Sequence, residues 1–119
     1  MKIAVLGAGL MGRAAVYDLS RAESVTAVGV FDIDAKLASE VAGKYGNNIA
    51  ISGSLDAGDV ALVSSVLKDY DSAVSCVTYK FNPGLSKAAI SAKCHLVDLG
   101  GNNDTVAEQL AMNDDAEKK

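Results

Sequence analysis

Between Val5 and Ala14 the chain reads VLGAGLMGRA, which sets Gly7, Gly9 and Gly12 at a G-x-G-x-x-G spacing. Glycines at this spacing can build a cradle for a pyrophosphate. Gly7 allows a tight turn out of a strand. Gly9 has no Cβ, so a phosphate can approach the backbone, and Gly12 lets the following helix pack closely on a sheet. The anion would lie on the N–H groups at the helix start, where the helix dipole favours negative charge. Such a site also needs an acid about 20 residues further on, at the end of the second strand. Asp32 stands twenty residues after Gly12 and closes the segment VGVFD. Its carboxylate could accept hydrogen bonds from the ribose hydroxyls of an adenosine. A 2′-phosphate would meet a negative charge there, so NAD is expected over NADP. No arginine occurs in the following DIDAKLAS, and Lys36 is the nearest cation.

In an open α/β sheet, ligands bind outside the carboxyl ends of the strands. Two further strand ends therefore matter. Ser75, Cys76, Val77 and Thr78 would lie beside the adenosine or nicotinamide ribose, largely through backbone contacts. Tyr79 and Asp98 are the polar groups best placed to reach the reacting end of a cofactor. They are the catalytic candidates, and each could instead be a surface or turn residue. His95, the one histidine, falls at the amino end of a strand, on the wrong edge of the sheet for catalysis. Cys76 and Cys94 lie 18 residues apart with no partner at metal-ligand spacing, and read as reduced core residues.

The elements that would hold these residues follow from periodicity. KIAVLG is a short apolar run, a strand buried on both faces. Met11, Ala14, Ala15, Leu19 and Ala22 recur at helical spacing, giving a helix to about Ala22. A second strand covers Val25 to Phe31. A second helix follows, with Asp34 as N-cap and Gly46 as its stop. NIAISG is a third strand, and a third helix has Asp59 as its cap. SAVSCVT is a fourth strand. FNPGLSKAAISAK is a fourth helix, with Asn82 as cap and Pro83 at the first position. HLVDLGG is a fifth strand, and a charged helix runs from Asn103 to Lys119. Strands alternating with helices imply an α/β fold: a doubly wound parallel sheet of about five strands in three α/β/α layers, the Rossmann arrangement.

Composition fits one such domain. The chain has 119 residues, half of them hydrophobic and 5% aromatic, enough for a single core. A net charge of −4 without a basic patch argues against nucleic acid. No signal peptide or membrane-length apolar run is present, so a cytoplasmic location is expected.

The segments MKIAVLGAGLMGRAAVYDL and SAVSCVTYKFNPGLSKAAISAKCHLVDLGGN, with the Asp32 strand end, resemble the amino-terminal domain of the saccharopine dehydrogenase family over nearly the whole chain. The resemblance implies an NAD(P)-dependent oxidoreductase acting on a carbon–nitrogen bond of an amino acid derivative. Gly7, Gly9, Leu10, Met11 and Gly12 match the family's phosphate loop, and Asp32 its ribose acid. Tyr79 and Phe81 match a segment bordering the substrate, and Asp98 an acid near the nicotinamide. Thr78 stands where some relatives have proline. Family members carry a second domain for substrate contacts and dimerisation. The resemblance thus implies that these residues are a cofactor-binding fragment of a longer homodimeric enzyme, inactive alone.

A second reading is a nucleotide-sensing module. The regulatory domains of potassium transport systems are similar in length, glycine loop and strand-end acid. TYKFNPG and DLGGN favour the dehydrogenase. A methyltransferase would usually carry an acid before the glycines, where this chain has Val5 and Leu6.

Overall fold

The computed structural model describes residues 1–77 and 81–98, with backbone alone at Asn82 and Asp98. Strands and helices alternate: β1 (Lys2–Leu6), α1 (Leu10–Leu19), β2 (Ala27–Asp32), α2 (Ala35–Tyr45), β3 (Ala50–Ser54), α3 (Val60–Leu67), β4 (Ser72–Ser75), α4 (Asn82–Ala92) and β5 (His95–Asp98). The five strands form one parallel sheet in the order β3-β2-β1-β4-β5. This is the doubly wound α/β arrangement expected. The last expected helix lies outside the described residues, as do Thr78, Tyr79 and Lys80.

β1 sits at the centre because its residues are apolar on both faces. Ile3 and Val5 point into one cluster with Val16 of α1 and Ala38 and Val41 of α2. Ala4 and Leu6 point the other way, against Val63 and Leu67 of α3 and Leu85 and Ala88 of α4. The period of two along the strand thus feeds two cores, and each buried Val or Leu contributes about 1.5–3 kcal/mol. From β1 the chain winds outward to β2 and β3, then crosses to β4 on the other side. The loops leaving β1 and β4 therefore diverge, and a crevice opens between them at the carboxyl edge.

Several boundaries differ from expectation. Val25 is buried, but it belongs to a turn in which its N–H donates to the Ala22 carbonyl at 3.1 Å, so β2 starts two residues later. α1 ends at Leu19 rather than near Ala22. β4 ends at Ser75, short of Thr78. Asn82 is the first residue of α4 rather than its cap. Phe81 occupies the cap position without a side-chain hydrogen bond, and Pro83 is second. Gly46 does close α2, but with φ −85°; the left-handed residues are Asn47 and Asn48, at φ 51° and 66°. Asp34 and Asp59 cap as expected: Asp34 Oδ1 accepts from the N–H groups of Lys36 and Leu37, and Asp59 Oδ1 from Leu62. Among the described residues, no helix is long and apolar enough to cross a membrane.

Candidate functional site

The loop between β1 and α1 is bent by Gly7, whose φ of 104° lies in the region L residues avoid. The Gly7 N–H donates to the Phe31 carbonyl at 2.7 Å, carrying the β1–β2 ladder one step past the strand. A Cβ here would stand 2.9 Å from the Cys76 carbonyl oxygen. Gly12, in the first turn of α1, faces back onto the loop, and a Cβ on it would overlap the Gly7 carbonyl. Its contact is thus with the loop's own backbone more than with the sheet.

Gly9 differs from both. It is the N-cap of α1, with no side-chain cap, and a Cβ built there meets nothing within 4 Å. Among the described residues, no hydrogen bond engages the N–H groups of Gly9, Leu10, Met11 or Gly12, while the Gly9 carbonyl accepts from Arg13 at 2.9 Å. Leu10 and Met11 are 82% and 54% exposed. Open space, unengaged amides and a helix N-terminus coincide, which suits a pyrophosphate.

Asp32 ends β2 beside this loop and is half-buried. The Ala8 N–H donates to its Oδ2 at 2.8 Å, and the Asp34 N–H to its Oδ1 at 2.9 Å. A carboxylate oxygen can accept about two hydrogen bonds. Each oxygen of Asp32 therefore keeps an acceptor position for a ribose hydroxyl.

Next to Asp32 lies a cavity of about 140 Å³, walled by Leu6, Phe31, Ile33, Leu55, Val77 and Phe81, with Asp56 at its margin. The Phe31 ring meets Tyr70 edge to face, centroids 5.8 Å apart. Behind them lies Gly29, where a Cβ would overlap the Tyr70 hydroxyl. Burial raises the pKa of this hydroxyl, and the Asp69 charge adds to the effect.

The structure thus brings Gly7, Gly9, Leu10, Met11, Gly12 and Asp32 together at one edge. Val77 joins them on the cavity wall. Cys76 is half-buried rather than core; its N–H donates to Leu6 at 2.7 Å, and burial pushes its thiol pKa up. Phe81, matched to a substrate-bordering segment, stands on the cavity wall with Phe31 and Ile33. Asp98 pairs in register with Ser75, at the same edge of the sheet. Thr78 and Tyr79 lie outside the described residues. His95 is exposed at the opposite, amino edge, its N–H donating to Asp71. Sequence reasoning missed the apolar cavity and the Ala8 N–H. An alternation signal marks Phe31 and Leu55 only as core, and a backbone donor carries no residue-type signal.

Comparison with known proteins decides the family. The saccharopine dehydrogenase NADP binding domain family matches residues 3–119. This chain belongs to that family. Among solved structures, this chain is similar to apo saccharopine dehydrogenase (L-Glu forming) from Saccharomyces cerevisiae, with TM-score 0.79, 25% identity, 90% of this chain covered and 23% of that one. A putative myo-inositol dehydrogenase from Sinorhizobium meliloti 1021 shares the fold at TM-score 0.77 and 19% identity, over 98% of this chain and 34% of that one. Scyllo-inositol dehydrogenase from Lactobacillus casei, solved with NAD(H) and scyllo-inositol, does so at 0.76 and 13%, over the same shares. The chain spans a quarter to a third of the length of these structures. It is an NAD(P)-binding domain of the saccharopine dehydrogenase type, a match that favours the dehydrogenase reading over the transport-linked sensor.

Proposed function

We propose that this domain holds the cofactor of an oxidoreductase acting on the CH–NH group of an amino acid derivative, and that it prefers NAD to NADP. The observation that carries the cofactor reading is the unengaged amide row of Gly9 to Gly12, with open space at Gly9, beside the Asp32 carboxylate. Gly9, Leu10, Met11 and Gly12 would take the pyrophosphate. Asp32 would accept the ribose hydroxyls, and the apolar cavity beside it would take the adenine. Gly7 shapes the loop, and Cys76 and Val77 border the crevice; Thr78 is assigned to the cofactor from the sequence alone. A nicotinamide dinucleotide, when bound, exchanges hydride with the carbon attached to nitrogen. The chain's own part is to bind, to orient, and to keep water from the adenine face.

The family's name specifies NADP, yet the residues here speak for NAD. The carboxylates of Asp32 and Asp34 stand at the end of β2, and both repel a 2′-phosphate. Lys36 is the only cation in the turn and first helical residues that follow. Asp98 and Tyr79 remain the catalytic candidates. Substrate contacts, and the homodimer, belong to the whole enzyme, with an amino acid-type small molecule as substrate.

Titration of the chain with NAD and with NADP tests this reading. NAD should bind at least about tenfold more tightly, a difference of about 1.4 kcal/mol. Equal affinities, or tighter NADP, would show that Asp32 does not select the cofactor.

A further inference from the structure

We propose that Asp32 is the positioning residue of the phosphate loop as well as its ribose acceptor, so that one carboxylate couples sugar recognition to pyrophosphate recognition. The second half of this statement rests on the ribose reading above; the first half rests on geometry alone. The first two amides of the loop point away from the anion site. The Gly7 N–H is taken by the Phe31 carbonyl at 2.7 Å and the Ala8 N–H by Asp32 Oδ2 at 2.8 Å. Ala8 is fully buried, and among the described residues the Asp32 carboxylate is the acceptor its N–H engages. A buried donor left without a partner is costly, and a bond to a charged acceptor is among the stronger ones. The same carboxylate holds the Asp34 N–H at 2.9 Å through its other oxygen. Asp32 therefore clamps the β1–α1 loop to the β2–α2 turn.

The clamp sets where the loop's free amides lie. Ala8 separates Gly7, with its positive φ, from the N-cap Gly9. With its N–H fixed, the Gly7–Ala8 peptide has one orientation, and this anchors the turn from which the amides of Gly9 to Gly12 follow. Without it, the unpartnered amide must turn toward water, and the row turns with it. Pre-organisation of this kind strengthens binding by removing an ordering cost. It also means that neutralising Asp32 to admit a 2′-phosphate weakens the pyrophosphate cradle.

Two opposing effects make the test decisive in sign. Removing the Asp32 charge lessens repulsion of an anion, which alone would tighten phosphate binding. Losing the clamp weakens it. The probes are ADP, 2′,3′-dideoxy-ADP, which keeps the phosphates without the ribose diol, and 2′,3′-dideoxyadenosine, which lacks the phosphates as well. They are titrated by NMR into the parent, Asp32→Asn and Asp32→Ala. We expect Asp32→Ala to bind dideoxy-ADP about five- to tenfold more weakly than the parent, with dideoxyadenosine unchanged. Asp32→Asn, which retains one acceptor oxygen, should fall between, and the Ala8 amide resonance should move in both variants. Unchanged or tighter dideoxy-ADP binding in both variants overturns the proposal. An equal loss for dideoxyadenosine also overturns it, because the damage then lies in the cavity and not in the loop. A parent that binds ADP and dideoxy-ADP equally refutes the ribose reading alone, while the positioning role stands or falls on the variants.

Discussion

The inner and outer sides of the glycine loop obey different constraints. On the inner side, Gly7 and Gly12 press against backbone: Gly7 against the Cys76 carbonyl and Gly12 against Gly7 itself. On the outer side, Gly9 faces open space and the amides after it have no partner among the described residues. The same residue type thus serves architecture at two positions and leaves open space at the third. A pattern that counts glycines cannot separate these roles, whereas the atoms around each absent Cβ can.

The sharpest way to break the comparison is Gly12→Ala. The added carbon overlaps the Gly7 carbonyl, so loop and helix must part, at a cost of about 3 kcal/mol. The melting temperature should fall by roughly 10 °C, and a thermal scan showing an unchanged midpoint would remove the inner half of the argument. Gly9→Ala should do the reverse. Its φ of −71° suits any residue, so stability should move by less than about 1 kcal/mol. NAD affinity should fall at least about tenfold, because the side chain occupies the phosphate's approach. Unaltered titration curves for this variant would mean that the cofactor does not approach there.

A smaller effect concerns the core behind α4. Burial, with the Asp71 charge adding to it, pushes the Cys94 thiol from about 9 up to about 11. The folded state therefore holds this proton where the unfolded chain has released it. The contribution is intact below pH 9 and is lost as pH rises toward 11. Denaturation midpoints across that window should drop more for the parent than for Cys94→Ala, and parallel curves would contradict the assignment.

Much of this was legible in sequence, for physical reasons that differ by element. β1 declares itself because a central parallel strand must be apolar on both faces, and Lys2–Leu6 is buried from Ile3 onward. The caps at Asp34 and Asp59 could be read because a short acid before an apolar helical stripe has few other uses. The spacing from Gly12 to Asp32 brought the acid to the loop. Val25 misled, since a buried valine in a turn looks the same as one opening a strand. Asn82 misled because it satisfies a capping pattern whose helix begins one residue sooner than a cap allows. The clamp on Ala8 was illegible in principle. It joins a backbone group to a side chain 24 residues away, and no residue-type pattern encodes a backbone donor.

The stack of Gly29, Tyr70 and Phe31 behind the cavity has a consequence of its own. Phe31 forms a wall of the 140 Å³ space, and its ring is braced by Tyr70, whose hydroxyl occupies the room that Gly29 leaves. The calibre of the slot is therefore set from behind, by a residue that no ligand in the crevice would touch. A methyl group at Gly29 would overlap both the tyrosine hydroxyl and the edge of the Phe31 ring, and would displace the two together. Evolution or a designer could in this way retune the fit of a base without altering a single contacting residue.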